Sequence, residues 1–457
     1  MSESTQFKKR AAEKSADESH RLKILKAIST YEGKVGEMKT SQFIDWQSAR
    51  QTAAQIKKYV IENLPDLLEQ FEQNISKTGT KVLWAETARE AQNHLLDIAK
   101  AHSTKKIVKS KSMTTEEIDF NEFFKANGID VWESDLGELI VQLAEEKPYH
   151  IVTPAMHKSK QEISKLFAEK LGSAESDSAE ELTMVARKYL RDAYVTADIG
   201  VTGANFLISD IGAVSLTENE GNIRLSTACP KIHVVIAGIE KILPRVQDLS
   251  LFLPLLATSG TGQQITGYNS LFLGPRNEEE LDGPQEMYVI LLDNGRSNLY
   301  LDDTFRHALS CIRCGACLNA CPVYRTIGGH TYHTTYQGPI GSVLTPHFRG
   351  MEQWNHLASA SSLCGACTQV CPVKIDIHHL LLQNRFRATQ QNNSSKFIAT
   401  ALKMWSFIMT HRNRLNKIRK PGNIANNMFS GLMPKGIRKR IPELSKKSFA
   451  ELWSDNE

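Results

Sequence analysis

Cys311-Ile312-Arg313-Cys314-Gly315-Ala316-Cys317-Leu318-Asn319-Ala320-Cys321-Pro322 sets four cysteines at the spacing C-x2-C-x2-C-x3-C and closes the run with proline. Thiolates two residues apart turn onto one inorganic core, and the small residues Gly315 and Ala316 let backbone N–H groups face the sulfurs. This is the run that bacterial proteins wrap around iron–sulfur clusters. An incomplete copy follows at Ser361-Ser362-Leu363-Cys364-Gly365-Ala366-Cys367-Thr368-Gln369-Val370-Cys371-Pro372, with serine where the first cysteine would fall. Two clusters are expected, most simply both [4Fe-4S].

In two-cluster ferredoxins the fourth cysteine of each run ligates the other cluster. Applied here, Cys311, Cys314, Cys317 and Cys371 hold cluster 1, while Cys321, Cys364 and Cys367 supply three ligands to cluster 2. The fourth ligand of cluster 2 stays open: Ser361 through oxygen, another residue, water, or a [3Fe-4S] core that needs none. Paired C-x2-C units also suit zinc, but zinc needs no four-cysteine run ending in proline, twice over. A disulfide framework does not fit either, because seven of the eight cysteines crowd one short segment of a 457-residue chain. Cys229, alone before Pro230, reads as a small buried hydrophobe.

The rest of the chain has the composition of two to three ordinary globular domains, 41% hydrophobic and 23% charged. Its first residues are polar, without the apolar core of a signal peptide, and no stretch reaches the roughly 18 apolar residues of a membrane span. A cytoplasmic location is expected, where thiolates and clusters survive. The net charge of +4 hides an asymmetry: eleven Lys or Arg fall between His411 and Lys447 against one acid, Glu443. No nucleic-acid module accompanies that basic tail, so a solvated tail, an acidic partner, or peripheral contact with the anionic inner membrane surface are the readings it leaves.

Residues 17–75 place Ile56, Val60, Ile61, Leu64, Leu67 and Leu68 at helical spacing. From Lys81 short apolar runs alternate with helical stretches: Lys81-Val-Leu-Trp-Ala, a helix capped at Thr87, Lys106-Ile-Val, Ile129-Asp-Val-Trp and Tyr149-His-Ile-Val. That alternation predicts an α/β domain with a largely parallel sheet. Beyond Ala197 the strands become glycine-punctuated. Gly203, Gly212 and Gly221 mark candidate turns around a crevice, and Thr202, Asn205, Glu218, Asn219 and Arg224 are candidate lining residues. Ser259-Gly-Thr-Gly-Gln-Gln lacks the context of a dinucleotide fingerprint and reads as a loop.

Gly200 to Thr227, Gly274-Pro-Arg, Leu291-Leu-Asp-Asn-Gly-Arg-Ser297, and Gly328-Gly-His330 through Gly338-Pro-Ile-Gly-Ser-Val-Leu-Thr-Pro346, together with both cysteine runs, resemble the iron–sulfur subunits of bacterial L-lactate utilisation, the lactate utilisation protein B family. The resemblance covers nearly the whole chain and includes the missing cysteine. After the N-terminal helical region (1–75) read from its spacing, it implies an isomerase/CoA-transferase-like α/β lactate-utilisation domain (76–297), a small α+β ferredoxin-type two-cluster domain (298–385) and a helical, basic C-terminal domain (386–457). Lactate utilisation proteins A and C are the partners it implies, and oxidation of L-lactate to pyruvate, allowing growth on lactate, is the activity. The chain would relay electrons without being catalytic alone, since no flavin or nicotinamide motif appears in it. No catalytic residue follows from the resemblance. Another 2-hydroxy acid such as glycolate, or redox sensing, are the rival readings. The apolar stretch 397–409 is either core or a docking surface.

Overall fold

Strands buried on both faces need nearly uninterrupted apolar runs, and Ile232–Gly238 and Glu286–Leu292 supply them. The computed structural model describes residues 2–391, 396–414, 447 and 449–454. Its strands are β1 (Lys81–Ala85), β2 (Lys106–Lys109), β3 (Asp130–Glu133), β4 (Ile199–Thr202), β5 (Phe206–Ile208), β6 (Ala213–Glu218), β7 (Ile232–Gly238), β8 (Ile242–Leu243), β9 (Tyr268–Phe272) and β10 (Glu286–Leu292). Six form a sheet in the order β1-β10-β7-β4-β2-β3, every neighbouring pair parallel. The remaining four pair in the order β8-β5-β6-β9, with β6 antiparallel to both of its neighbours.

The parallel sheet is covered on both sides, as a parallel sheet must be. Val234, Ile236 and Ile290 face Leu95, Ile98, Phe120 and Phe124 of the helices Ala88–Ala101 and Phe120–Ala126. Val235, Ala237 and Leu291 face Phe71, Ile75 and the second sheet's Leu207 and Val214. Thr87 caps the helix Ala88–Ala101, its hydroxyl accepting the Glu90 N–H at 3.2 Å. Strand order reverses between β2 and β4: β3 lies outside β2 on one side, while β4, β7 and β10 run away on the other. In open α/β sheets such a reversal leaves a crevice at the carboxyl ends of the two strands.

Residues Met1–Phe386 form one compact unit and Arg387–Glu457 a second. Within the first, the N-terminal helices do not stand apart: Phe7, Ile24 and Ile28 share a buried core with the cysteine-bearing segment. Arg10 donates its Nε–H to the Thr331 carbonyl at 3.2 Å, and Phe7 meets the Tyr332 ring edge-on. The segment from Asp293 to Phe386 is made of short helices and turns around the two cysteine runs.

Three local expectations fail. Tyr149-His-Ile-Val is a buried bend rather than a strand. Proline flanks it on both sides, the Tyr149 N–H turns back to the Pro154 carbonyl at 2.9 Å, and its outward groups are taken by the cysteine segment. The Tyr324 hydroxyl donates to the Tyr149 carbonyl at 3.0 Å, and Gln337 to that of Pro148 at 2.9 Å. Ser259-Gly260-Thr261 is the end of the helix Leu249–Thr261 rather than a loop, because the apolar run before it carries the helix through to Gly262 at φ +70°. Cys229 is exposed, on the outer side of the helix end Asn222–Ala228.

In the second unit the helix Lys396–Met409 exposes Leu402, Met404, Trp405 and Phe407. Of the basic tail, Arg412, Arg414 and Lys447 are described, and the other basic positions up to Lys446 lie outside the described residues.

Candidate iron–sulfur centre and adjoining crevice

Both cysteine runs adopt one backbone shape. Arg313 at φ +60° and Gly315 at φ +80° in the first are matched by Leu363 at φ +54° and Gly365 at φ +81° in the second. Arg313 and Leu363 pay the cost of a left-handed backbone without being glycine, and the return is the direction of the N–H groups. The Arg313 N–H points at Cys311 Sγ, 3.4 Å away, and the Leu363 N–H at Ser361 Oγ, 3.1 Å away. Ser361 therefore stands in the second loop where Cys311 stands in the first. Each loop then enters a five-residue helix, Ala316–Ala320 or Ala366–Val370.

The fold sorts the seven cysteines of the runs into two groups. Cys311, Cys314, Cys317 and Cys371 wall one cavity together with Ile151, Ile340 and Val373. Burial pushes the Cys371 thiol up to about 12, and the charges of Cys311 and Cys371 add to burial in raising Cys314. Cys321, Cys364 and Cys367 form the other group: burial and the neighbouring Cys321 and Cys364 charges push Cys367 up to about 11. Cys364 is exposed, and the Ala366 N–H holds its thiol below the ordinary value.

These surroundings fit an iron–sulfur core, which takes buried thiolates and steadies them with backbone donors. Besides the Arg313 N–H on Cys311, Ile375 donates to Cys371 Sγ at 3.4 Å and Tyr324 to Cys321 Sγ at 3.5 Å. The Ile340 N–H serves Cys317 and the Thr368 N–H serves Cys367. No disulfide joins any of the cysteines.

An N-terminal residue that the sequence did not single out clamps the second run. Arg50, buried on the helix Trp46–Glu62, donates Nε–H and Nη2–H to the Cys371 carbonyl at 2.9 and 2.7 Å. Fixing that carbonyl fixes the position of Cys371 against the first run.

Behind the four-cysteine group lies a buried charge network. Arg296, with no exposed surface, grips Glu117 through two 2.8 Å bonds and donates Nε–H to Glu240 at 2.5 Å. Arg313 donates to the other Glu240 oxygen at 3.2 Å and lies over the Tyr336 ring. Burial would raise the Glu240 carboxyl, but Arg296 and Arg313 overcome it and hold the pKa at about 2. Lys57 donates to the Glu240 carbonyl at 2.8 Å, and Lys241 follows Glu240 in the chain. Burial brings both lysines down to about 8. Four cations thus stand against two carboxylates beside the cavity, a surplus that matches the negative charge of thiolate-bound iron–sulfur cores.

The crevice expected at the strand reversal is present, as a cavity of about 400 Å3. Gly203, Asn205, Glu218 and Asn219 line it, as read from the sequence. Gly203 must lack a side chain there, since a Cβ would sit 2.5 Å from Ser112 Oγ. Thr202 is instead buried on His233 at 2.8 Å, and Arg224 stacks on Tyr268. Glu218 spends its carboxylate on the Ile223 and Arg224 N–H groups at 2.5 and 3.1 Å, and Gly221 at φ +73° begins that helix. Gly212, at φ +60°, packs against Asn74 and Ile75 away from the crevice. Ile312, Arg313 and Cys314 also form part of the crevice wall, which no motif signalled.

Among the described residues no helix is long and apolar enough to cross a membrane. Residues 68–292 match the LUD domain family, and residues 307–375 match the 4Fe-4S dicluster domain. The chain is 45% identical over 364 residues to lactate utilization protein B of Bacillus licheniformis, covering 79% of this chain and 76% of that protein. It is 46% identical to the protein of the same name from Geobacillus sp. strain WCH70 over 75% of this chain and 72% of that one. The Oceanobacillus iheyensis protein of that name is 44% identical over 79% and 76%.

Proposed function

The chain belongs to the lactate utilization protein B family, with a role in lactate utilization, and from that premise we propose that it is the electron-carrying subunit of a multi-subunit system oxidising L-lactate to pyruvate. Cys311, Cys314, Cys317 and Cys371 hold cluster 1 in this reading, and Cys321, Cys364 and Cys367 hold cluster 2. The observation that supports it is the division of the cysteines into two groups crossing between the runs, as two one-electron centres would require. When bound, the clusters supply one-electron transfer at potentials set by burial and hydrogen bonds to sulfur.

The protein's own residues hold and tune. Arg50 and the backbone N–H groups fix the sulfurs, and the cation surplus around Glu240 favours added negative charge at cluster 1. Exposed Cys364 puts cluster 2 nearest the surface, where electrons leave or enter. The partners are the family's A and C proteins, working in the cytoplasm.

Removing two electrons from a carbon centre needs a group that first accepts both. The purified chain with clusters intact and an artificial acceptor present is therefore expected to be inactive toward L-lactate, and the partner subunits are expected to restore turnover. Robust oxidation by the chain alone would move catalysis into the α/β domain.

The matched loops extend the reading to the fourth ligand of cluster 2, which we assign to Ser361 Oγ. Ser361→Cys is expected to raise iron content and slow oxidative loss of iron, because thiolate replaces a weaker oxygen ligand at an existing position. Unchanged iron content and lifetime would place the ligand elsewhere.

A further inference from the structure

The strand reversal between β2 and β4, the cavity of about 400 Å3 at their carboxyl ends and the wall built by Ile312, Arg313 and Cys314 coincide. Reversal points of this kind are where open α/β sheets bind ligands, and the cavity has the size of a small-molecule site. What remains is the chemistry of its occupant.

Arg313 indicates it. The side chain is 6% exposed, yet only Nη2 has an acceptor, Glu240; Nε and Nη1 are buried with none. A buried charged donor left unpaired keeps its full desolvation cost, which an anion beside the guanidinium would relieve. Glu240 cannot serve, since Arg296 already holds its other oxygen. Lys241 lines the same cavity, a second cation beside Arg313. Ser112 on the same wall caps its own short helix by accepting the Thr115 N–H. Asn205, in the bend before β5, and Thr217 on β6 add polar groups.

We propose that this crevice binds a small organic carboxylate, with the anion seated on Arg313 and Lys241 against the wall of the four-cysteine group. Because Arg313 lines both the crevice and the cysteine cavity, the bound anion offsets the cation nearest cluster 1 and lowers its reduction potential. This second step rests on the assignment of Cys311, Cys314, Cys317 and Cys371 to one cluster.

The test uses the full chain with clusters assembled and no partner subunits. Calorimetric titration with L-lactate, pyruvate, acetate and inorganic phosphate is paired with a redox titration of cluster 1 followed by magnetic resonance. Saturable one-site binding of L-lactate or pyruvate is expected, with a negative shift of the cluster 1 potential. Arg313→Gln is expected to weaken binding at least about tenfold, the worth of one charged hydrogen bond. Since Arg313 lies between cluster ligands, Lys241→Gln, outside both runs, decides the matter if Arg313→Gln fails to assemble: it should weaken binding severalfold with iron content unchanged. Absence of carboxylate binding at millimolar concentration, binding of phosphate alone, or affinity unaffected by Lys241→Gln would each overturn the proposal. Binding without any potential shift would overturn the coupling. The ligand assignment fails separately, if Cys371→Ala spares the cluster lost in Cys314→Ala.

Discussion

Cys371→Ala is expected to abolish the same magnetic resonance signal as Cys314→Ala, although the two residues belong to different runs. Cys371 lines the cavity of the first run, its sulfur receives the Ile375 N–H at 3.4 Å, and its carbonyl is clamped by Arg50. Losing one of four thiolates leaves a labile iron in a buried site where water is a poor substitute, so the expected effect is loss of the intact cluster rather than a shift in its signal. Cys364→Ala should remove the other signal. If Cys371→Ala and Cys364→Ala remove one and the same signal, the crossed arrangement is wrong.

Arg296→Met is expected to destabilise the protein by about 3–5 kcal/mol, the usual effect of deleting one partner of a buried ion pair. Glu117 and Glu240 would both lose their principal counter-charge, in surroundings where Glu117 is 7% and Glu240 1% exposed. Burial pushes both carboxyls up, but the Arg296 charge more than offsets it, leaving Glu117 below its ordinary value and Glu240 at about 2. Depressed carboxyl pKa values stabilise the fold at and above the ordinary carboxylate range, and that stability drains away as pH falls through the folded values. Wild-type stability should therefore decline toward acid, and the variant should decline less steeply. Guanidinium unfolding at neutral and acid pH measures both; a loss below about 1 kcal/mol at neutral pH would show that the network relaxes or hydrates when Arg296 is removed.

Legibility from sequence followed the range of the interactions. The cysteine spacing is local chemistry, and so is the alternation of Lys81-Val-Leu-Trp-Ala and Lys106-Ile-Val with capped helices; both survive unchanged in the fold. Tyr149-His-Ile-Val carries the same apolar signature as a strand, but its backbone partners Tyr324 and Gln337 lie 175 and 189 positions away, and no window of sequence contains them. The Arg296 network was hidden for the same reason, with Glu240 56 and Glu117 179 positions off. Arg50 and the Cys371 carbonyl are 321 apart. The alignment of the two runs was legible as well: Arg313 and Leu363 share an offset and a left-handed backbone, and Ser361 takes the position in the second loop that Cys311 takes in the first. In the crevice, Gly203, Asn205, Glu218 and Asn219 were legible, whereas the wall from the cysteine run depends on how two domains pack.

The measurement that tests the electron-carrying role most directly is cluster reduction driven by substrate. With partner subunits present and air excluded, addition of L-lactate should bring up the magnetic resonance signals of the reduced clusters in this chain, and Cys371→Ala should lack that of cluster 1. Turnover of L-lactate by the assembled system with both clusters remaining oxidised throughout, or at an undiminished rate in a chain stripped of both, would contradict it.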